Sequence, residues 1–270
     1  INGYKRETTP LLLNNNNIIS FRNLYTENTY TGISVPQILT NQNLYEETNE
    51  DYISIYSIAN KANFKTTWIG NQIPTKSFIE IVNQNSEVYL IDKYRSDYSF
   101  NRKKDLAMIP ILDSIFTKES KQFITVHMVG SHWWYDSRYD EEFRKFNPTT
   151  DGKHIPSMSK EQIVNSYDNT LVYLDNFLNT IIEKLKKREI PSILIYVSDH
   201  GELLGEDGMW LHAQSKEAAK NPAYIIWLSE NFRTNNSDIY DDLLNKRDSL
   251  IYTDIIYYDI MNLMGIEFID

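Results

Sequence analysis

The chain has 270 residues, of which 41% are hydrophobic and 13% aromatic, and its formal net charge at pH 7 is −10. A chain of this length and aromatic content can bury a substantial core, so we expect one folded domain over residues 1–270. The acidic balance disfavours nucleic acid and anionic membrane surfaces as partners, because phosphate groups are bound by basic patches. The sequence has no cysteine, which excludes disulfides and thiolate metal sites.

The sequence lacks a membrane-spanning segment. No window approaches the roughly 18–20 consecutive apolar residues that a transmembrane helix needs, so we expect this chain to be soluble. It begins at Ile1 without an initiator methionine, which is typical of a processed product or an excised piece. We therefore expect the domain to be truncated at its N-terminus.

Apolar periodicity predicts strands that alternate with helices, the pattern of an α/β protein with a mainly parallel central sheet covered by helices on both faces. The clearest helix follows Ser159, because Ser159 and Gln162 form a capping-box sequence and apolar residues then recur every three or four positions. We predict strands at 18–21, 65–69, 87–91, 122–128, 193–197 and 223–228, and helices at 51–60, 106–116, 159–188, 238–244 and 253–264.

Residues with hydroxyl groups crowd the segment 24–34, which we predict to be a loop. A helix is predicted to open after it at Val35-Pro36, with Ser34 as its cap. A hydroxyl such as that of Thr31 is a weak nucleophile until a metal ion or a base activates it. Beside a helix N-terminus it would also lie where free amides attract a phosphate anion. The alternative is a capped surface loop with incidental threonines.

Two of the predicted strands are followed by residues that can bind metal: a histidine after one strand, and an aspartate and a histidine after the other. The strand 122–128 leads into Gly130-Ser131-His132, and the apolar strand 193–197 leads into Ser198-Asp199-His200-Gly201. Functional groups in open α/β sheets gather at the carboxyl ends of strands, and carboxylate and imidazole are both zinc ligands. Gly201 is expected to free the backbone for a sharp turn. On these residues alone, Asp199 as a helix cap, His200 as a surface histidine and His132 as a buried structural histidine stay open alternatives.

Five blocks of the sequence together resemble the phosphoethanolamine transferases, a branch of the alkaline-phosphatase-like and sulfatase-like superfamily. They are spread from Asn2 to His212, and the number and spread of the blocks argue against a chance resemblance. The blocks are Asn2-Gly3-Tyr4 with Arg6, Thr8 and Pro10; Thr31-Gly32-Ile33-Ser34-Val35-Pro36; Trp68-Ile69-Gly70-Asn71-Gln72; Gly130-Ser131-His132; and Ser198-Asp199-His200-Gly201-Glu202 with Leu204-Gly205-Glu206, Gly208 and Leu211-His212.

The resemblance implies roles for individual residues. Thr31 would be the catalytic nucleophile, and a zinc ion would be held by Thr31, Asp199 and His200. The substrate would be bound by His132, His212, Asn71 and Gln72. In this family a further zinc ligand, a glutamate, precedes the position of Asn2, so we expect this chain to lack that ligand and the first strand of the sheet.

The resemblance also implies a reaction and a place in the cell. Phosphoethanolamine would pass from phosphatidylethanolamine to lipid A or the lipopolysaccharide core, through a phospho-threonine intermediate and with zinc as cofactor. The complete protein would be anchored in the bacterial inner membrane through an N-terminal region absent from this chain, with the catalytic domain in the periplasm. We expect a monomer without a nucleic-acid partner.

Several alternatives remain at this point. A sulfatase activity is disfavoured, because Ser34-Val35-Pro36-Gln37-Ile38 lacks the arginine of the Cys/Ser-x-Pro-x-Arg motif. A phosphodiesterase or a glycerophosphate-type transferase could use the same scaffold, and so could a catalytically silent lipid- or glycan-binding domain. The aromatic residues Trp133, Trp134, Tyr135 and Tyr139 are either core or lid residues or a wall for an ammonium group.

Overall fold

The computed structural model describes residues 2–42, 52–92, 103–118, 121–152, 157–212, 214 and 216–266. Strands and helices alternate along these ranges, and no helix within them has the length and apolar character needed to span a lipid bilayer. The strands are β1 (Ile18–Phe21), β2 (Asn23–Tyr25), β3 (Lys65–Gly70), β4 (Glu87–Leu90), β5 (Gln122–His127), β6 (Ile193–Val197), β7 (Leu203–Leu204), β8 (Trp210–Leu211), β9 (Tyr224–Leu228) and β10 (Leu250–Tyr252). The helices are α1 (Pro10–Leu13), α2 (Thr31–Leu39), α3 (Ile55–Lys61), α4 (Ile79–Val82), α5 (Ile109–Phe116), α6 (Lys160–Lys186), α7 (Glu217–Lys220), α8 (Glu230–Asn235), α9 (Ser237–Lys246) and α10 (Ile255–Leu263).

Two three-stranded sheets form the centre of the molecule. In one sheet β3 lies between β4 and β5 and runs parallel to both. In the other β9 lies between β1 and β6 and runs antiparallel to both. Strands β2 and β10 form a parallel pair, and β7 and β8 form a short antiparallel hairpin. The predicted α/β class is confirmed, and the direction of β9 is a feature that apolar periodicity does not encode.

Helices cover both faces of these sheets, as predicted. Successive side chains of a strand point to opposite faces, so neighbouring residues enter different parts of the core. Trp68, Tyr224 and Ile226 pack with residues of α2, α3, α4 and α10. Ile69, Ile225 and Trp227 pack on the other face with α1, α5 and α6. Each central strand is therefore buried from two sides, which explains its continuous apolar sequence.

Helix α6 confirms the capping-box prediction. The Ser159 hydroxyl accepts a hydrogen bond from the backbone N–H of Gln162 at 3.2 Å, and the Gln162 side chain accepts one from the N–H of Ser159 at 3.0 Å. Two buried acids on the same helix hold the first residues of the chain. Asp175 accepts hydrogen bonds from the backbone N–H groups of α1, and Asp168 forms an ion pair with Arg6 at 2.9 Å.

Helix α2 begins at Thr31, four residues before the predicted start at Val35. Ser34 was expected to cap this helix, but its hydroxyl donates to the carbonyl of Asn28 at 2.7 Å from inside the first turn. Pro36 lies within the helix. The earlier start places Thr31 itself at the helix N-terminus, where the first backbone N–H groups have no helical acceptor.

A buried carboxylate joins the ends of β3 and β5. Asp105 is 3% exposed and accepts hydrogen bonds from the Asn71 side-chain amide at 2.8 Å and from the backbone N–H groups of Val129 and Gly130, each at 3.0 Å. Burial raises the pKa of Asp105, and these hydrogen bonds oppose the shift. The carboxylate can stay in the interior because its oxygens are satisfied by N–H donors.

We predict that Asp105→Asn lowers the free energy of unfolding by about 2–4 kcal/mol, because the new NH₂ group would face donors and leave them unsatisfied. Urea denaturation followed by circular dichroism measures this change. The control is Asp113→Asn, which removes a half-exposed partner of Lys184 and should cost no more than about 1 kcal/mol. Equal denaturation midpoints for the two variants would contradict the role of Asp105.

Candidate active site at the strand ends

The candidate site lies where β5, β6 and the start of α2 meet. Strand β5 ends at His127 and leads to His132, and β6 ends at Val197 and leads to Asp199 and His200. Thr31 approaches from the first turn of α2, although it lies 169 residues before His200 in sequence. The predicted convergence of these three segments is therefore present in the structure.

Thr31, Asp199 and His200 bring three donor atoms together. The Thr31 Oγ1 atom lies 3.5 Å from Nε2 of His200, and Asp199 Oδ2 lies 3.7 Å from the same nitrogen. His200 Nδ1 donates to the carbonyl of Gly201 at 2.8 Å, since a carbonyl oxygen can only accept. In the neutral ring, Nε2 is then the unprotonated nitrogen, and its lone pair faces Thr31.

These residues fit a zinc ion. Asp199 Oδ2 is buried and has no hydrogen-bond partner among the described residues. Zinc ligands at about 2 Å in a tetrahedral arrangement are about 3.3 Å apart, which is close to the separations observed around Nε2. The described ranges contain no group of three or more His, Cys, Asp or Glu residues arranged to hold a metal. The groups that could hold zinc are the carboxylate of Asp199, the imidazole of His200 and the hydroxyl of Thr31.

Two further histidines, His212 and His132, form a cluster of rings with His200. The His212 ring stacks on His200 with centroids 4.7 Å apart, and it lies 4.9 Å from the ring of His132. Glu202 raises the pKa of His212 through a hydrogen bond to Nδ1 at 3.1 Å. His212 therefore lies beside the zinc-type donor His200, and His132 joins the cluster through its contact with His212.

Asn71 and Gln72 have contacts inside the protein. Asn71 is 2% exposed, and its NH₂ group donates to Asp105 and to the carbonyl of Lys103. The half-buried Gln72 donates to the carbonyl of Met128 at 3.1 Å. The buried position of Asn71 does not match its predicted substrate-binding role, so Asn71 is better described as a support at the ends of β3 and β5, and the role of Gln72 stays a prediction.

The aromatic residues after His132 divide into two groups. Tyr135 and Tyr139 are buried, at 0% and 4% exposure, which favours the core interpretation for both. Trp133 and Trp134 are half-buried, and their rings lie 4.5 Å apart. The segment is held by Arg138, whose guanidinium donates to the carbonyls of His132 and Trp133.

The sequence analysis missed Arg138 and gave no role to Glu202, and it did not connect Tyr135 with Glu202. Glu202 accepts hydrogen bonds from both Tyr135 and His212. A usable signal was present for one of them. Glu202 and His212 flank two short apolar segments separated by Gly205 and Gly208, a pattern that indicates a hairpin with the two residues opposite each other.

Gly201 is required for close packing. Its φ is not in the left-handed region, so the predicted sharp turn is not the reason for glycine here. A Cβ atom at this position would meet the carbonyl oxygen of Ala218 at 2.4 Å, and the N–H of Gly201 donates to the carbonyl of Ala219 at 2.8 Å. Helix α7 thus lies directly on the loop that carries Asp199 and His200.

Sequence comparison places the chain in a family. The sulfatase family profile matches residues 1–266, so the chain belongs to the sulfatase family. Within this family it is similar to the phosphoethanolamine transferase EptA of Escherichia coli K12, with 31% identity over 280 aligned residues that cover 99% of this chain and 50% of that protein. The chain spans about half the length of the curated relatives it matches.

Structure comparison supports the same resemblance. The fold matches the integral membrane protein lipooligosaccharide phosphoethanolamine transferase A of Neisseria meningitidis with a TM-score of 0.85 and 29% identity, over 97% of this chain and 51% of that one. It also matches the C-terminal periplasmic domain of EptC from Escherichia coli, solved in a complex with Zn. The TM-score is 0.83 and the identity 25%, over 99% of this chain and 78% of that one. The predicted sulfatase-like fold and the resemblance to phosphoethanolamine transferases are confirmed.

We predict that Gly201→Ala lowers the free energy of unfolding by about 1–3 kcal/mol, because backbone atoms of α7 must move to admit the methyl group. Thermal and urea denaturation measure the loss. The control is Gly152→Ala, where the space is open but φ is +71°, and it should cost only about 1–2 kcal/mol without disturbing the histidine cluster. Unchanged histidine NMR signals in Gly201→Ala would contradict the proposed packing.

Proposed function

We propose that this protein transfers phosphoethanolamine from phosphatidylethanolamine to lipid A or the lipopolysaccharide core, with Thr31 as nucleophile and zinc as cofactor. The observation that carries this proposal is the position of the Thr31 hydroxyl at the start of α2, 3.5 Å from Nε2 of His200. The similarity to phosphoethanolamine transferases over nearly the whole chain supports the choice of substrate.

The proposed reaction has two transfers. In the first, Thr31 Oγ1 loses its proton and forms a bond to phosphorus, the bond from phosphorus to the diacylglycerol oxygen breaks, and that oxygen takes up a proton. In the second, an oxygen of the glycolipid acceptor forms the new bond to phosphorus and gives up any proton it carries, the bond from phosphorus to Thr31 Oγ1 breaks, and Oγ1 takes up a proton. Such covalent catalysis divides one difficult displacement into two easier ones.

The residues of the chain have separate tasks in this scheme. Thr31, Asp199 and His200 would hold the zinc ion, which lowers the proton affinity of a bound hydroxyl and stabilises charge on phosphoryl oxygens. The free amides at the N-terminus of α2 favour an anion beside Thr31. Glu202 accepts a hydrogen bond from Nδ1 of His212 and raises the pKa of its ring, which leaves Nε2 as the nitrogen that would contact the phosphoryl group.

Because the proposed donor is a bilayer lipid, we propose that the protein works at the periplasmic side of the bacterial inner membrane. The similarity to a transferase described as an integral membrane protein supports this location. A phosphodiesterase or glycerophosphate-type transferase is the alternative enzyme, and a silent lipid- or glycan-binding domain is the alternative without catalysis. The fate of Thr31 distinguishes these functions.

We predict that the complete protein product of the gene, incubated with phosphatidylethanolamine in detergent, gains the mass of phosphoethanolamine on the peptide that contains Thr31. Thr31→Ala should abolish this modification, because no hydroxyl remains to attack phosphorus. Peptide mass spectrometry measures it. The matched control is Thr29→Ala, since the Thr29 hydroxyl in the same segment donates to the carbonyl of Gln214.

The outcomes separate the alternatives. Modification that persists in Thr31→Ala would show that another residue is the nucleophile. Release of diacylglycerol without any transfer to lipid A would favour the phosphodiesterase. Absence of turnover with phosphatidylethanolamine, phosphatidylglycerol and a chromogenic phosphodiester would favour the silent binding domain.

We predict that Asp199→Asn weakens zinc binding by at least about tenfold, the loss typical even of residues that only support metal ligands. Isothermal titration calorimetry with zinc alone measures the affinity. Asp207→Asn is the control, because Asp207 lies in the same region but its side chain is 75% exposed and pairs with Lys216. Equal affinities for the two variants would show that Asp199 does not hold the metal.

A further inference from the structure

Glu202 is a nearly buried carboxylate whose two oxygens are used by two different elements. Its side chain is only 8% exposed. Oε1 accepts a hydrogen bond from the Tyr135 hydroxyl at 2.6 Å, and Oε2 accepts one from Nδ1 of His212 at 3.1 Å. A carboxylate is tolerated in such surroundings when its oxygens are paired, so this arrangement is more than an incidental surface contact.

The hairpin of β7 and β8 places Glu202 and His212 opposite each other. Leu203 pairs with Leu211 in this hairpin, and the two polar residues lie one position beyond that pair. The backbone of Leu211 has a φ of +71°, a left-handed conformation that costs a non-glycine residue about 1–2 kcal/mol. The fold therefore accepts local strain directly beside His212.

Tyr135 fixes the carboxylate from the other side. Its side chain is fully buried and packs edge-on against Tyr167 of α6, with ring centroids 5.3 Å apart. Burial raises the pKa of Tyr135 far above its ordinary value, so the hydroxyl stays protonated and can only donate to Glu202. Glu202 is thus tied to the long helix through a rigid aromatic side chain.

These contacts determine how His212 presents its ring. Because a carboxylate oxygen accepts, Nδ1 of His212 carries the proton, and Nε2 is the nitrogen left for a reacting group. The ring is stacked on His200, whose Nε2 faces Thr31. A different orientation of His212 would lose the hydrogen bond to Glu202 and the stacking on His200.

We propose that Glu202, anchored by Tyr135, is a positioning residue that fixes the orientation and the Nδ1–H form of His212 for phosphoryl transfer. This inference rests on the proposed function and deepens it. Supporting residues of this kind contribute about 10- to 100-fold to activity in metal sites where a carboxylate orients a histidine.

The test is a double-mutant cycle in the complete, zinc-loaded protein, with phosphatidylethanolamine as donor. Glu202→Leu should lower kcat by about 10- to 100-fold and change KM by less than about threefold. Glu202→Gln should recover most of the loss, because its amide oxygen can still accept from Nδ1. In a His212→Ala background, Glu202→Leu should have an effect of less than about twofold, since residues that act through one another are not additive.

Glu217→Leu is the control, because Glu217 is an exposed acid on α7 and its loss should leave kcat unchanged. The proposal is overturned if Glu202→Leu leaves kcat unchanged, or if it lowers kcat by the same factor with and without His212. Circular dichroism of each variant shows whether it is folded. A failure of Glu202→Leu to fold moves the test to Tyr135→Phe, which should lower kcat by about 3- to 10-fold through loss of the anchor.

A second measurement does not depend on transferase activity. The chain has five histidines, so ¹H–¹⁵N spectra can resolve each imidazole. At a pH above the titration of His212, the spectrum should show the proton on Nδ1, and Glu202→Leu should shift it towards Nε2. An Nε2–H form in the unmodified protein would overturn the inference. Absence of transfer together with an Nδ1–H ring would instead count against the proposed function alone.

Discussion

The architecture of the site depends most directly on the hydrogen bonds that the buried carboxylate of Asp105 accepts. It binds the end of β3 through Asn71 and the turn after β5 through two backbone N–H groups. The next residue, Leu106, donates its N–H to the Tyr173 hydroxyl of α6 at 2.7 Å. One buried acid and its neighbour therefore connect a sheet, the turn that leads to His132 and the longest helix. The cost of burying the charge is offset by three N–H donors, and the turn after β5 is fixed in place.

The site consists of reactive groups and the groups that hold them. In the proposed function, phosphoryl transfer would use oxygen and nitrogen atoms of Thr31, Asp199, His200, His132 and His212. Around them, Arg138 holds the carbonyls beside His132, α7 packs on Gly201, and Glu202 contacts His212. Preorganisation of this kind is the main contribution a protein makes to phosphoryl transfer, because most of the catalysis lies in positioning and electrostatics.

Local sequence patterns predicted most of the strands and helices. The exact start of α2 and the position of Asn71 depend on contacts that form only in the folded protein. Strand 193–197 and the helix after Ser159 were predicted correctly, because a continuous apolar run and a capping box are signals within a few residues. The predicted start of α2 was wrong, because Ser34 and Pro36 are typical of the first turn of a helix. The hydrogen bond from the Ser34 hydroxyl to the carbonyl of Asn28 forms only in the folded loop. The family resemblance gave Asn71 a substrate-binding role, and no local signal in the sequence indicated its hydrogen bond to Asp105, which lies 34 residues away.

The separation of the reactive residues along the chain has a consequence for folding. Thr31 and His200 are 169 residues apart, so closing the loop between them costs entropy that only the packing of the intervening elements can offset. A topology with such distant contacts folds slowly compared with one built from local contacts. The cluster therefore belongs to the assembled molecule, and a fragment that contains only one of its loops would carry the residues without the geometry.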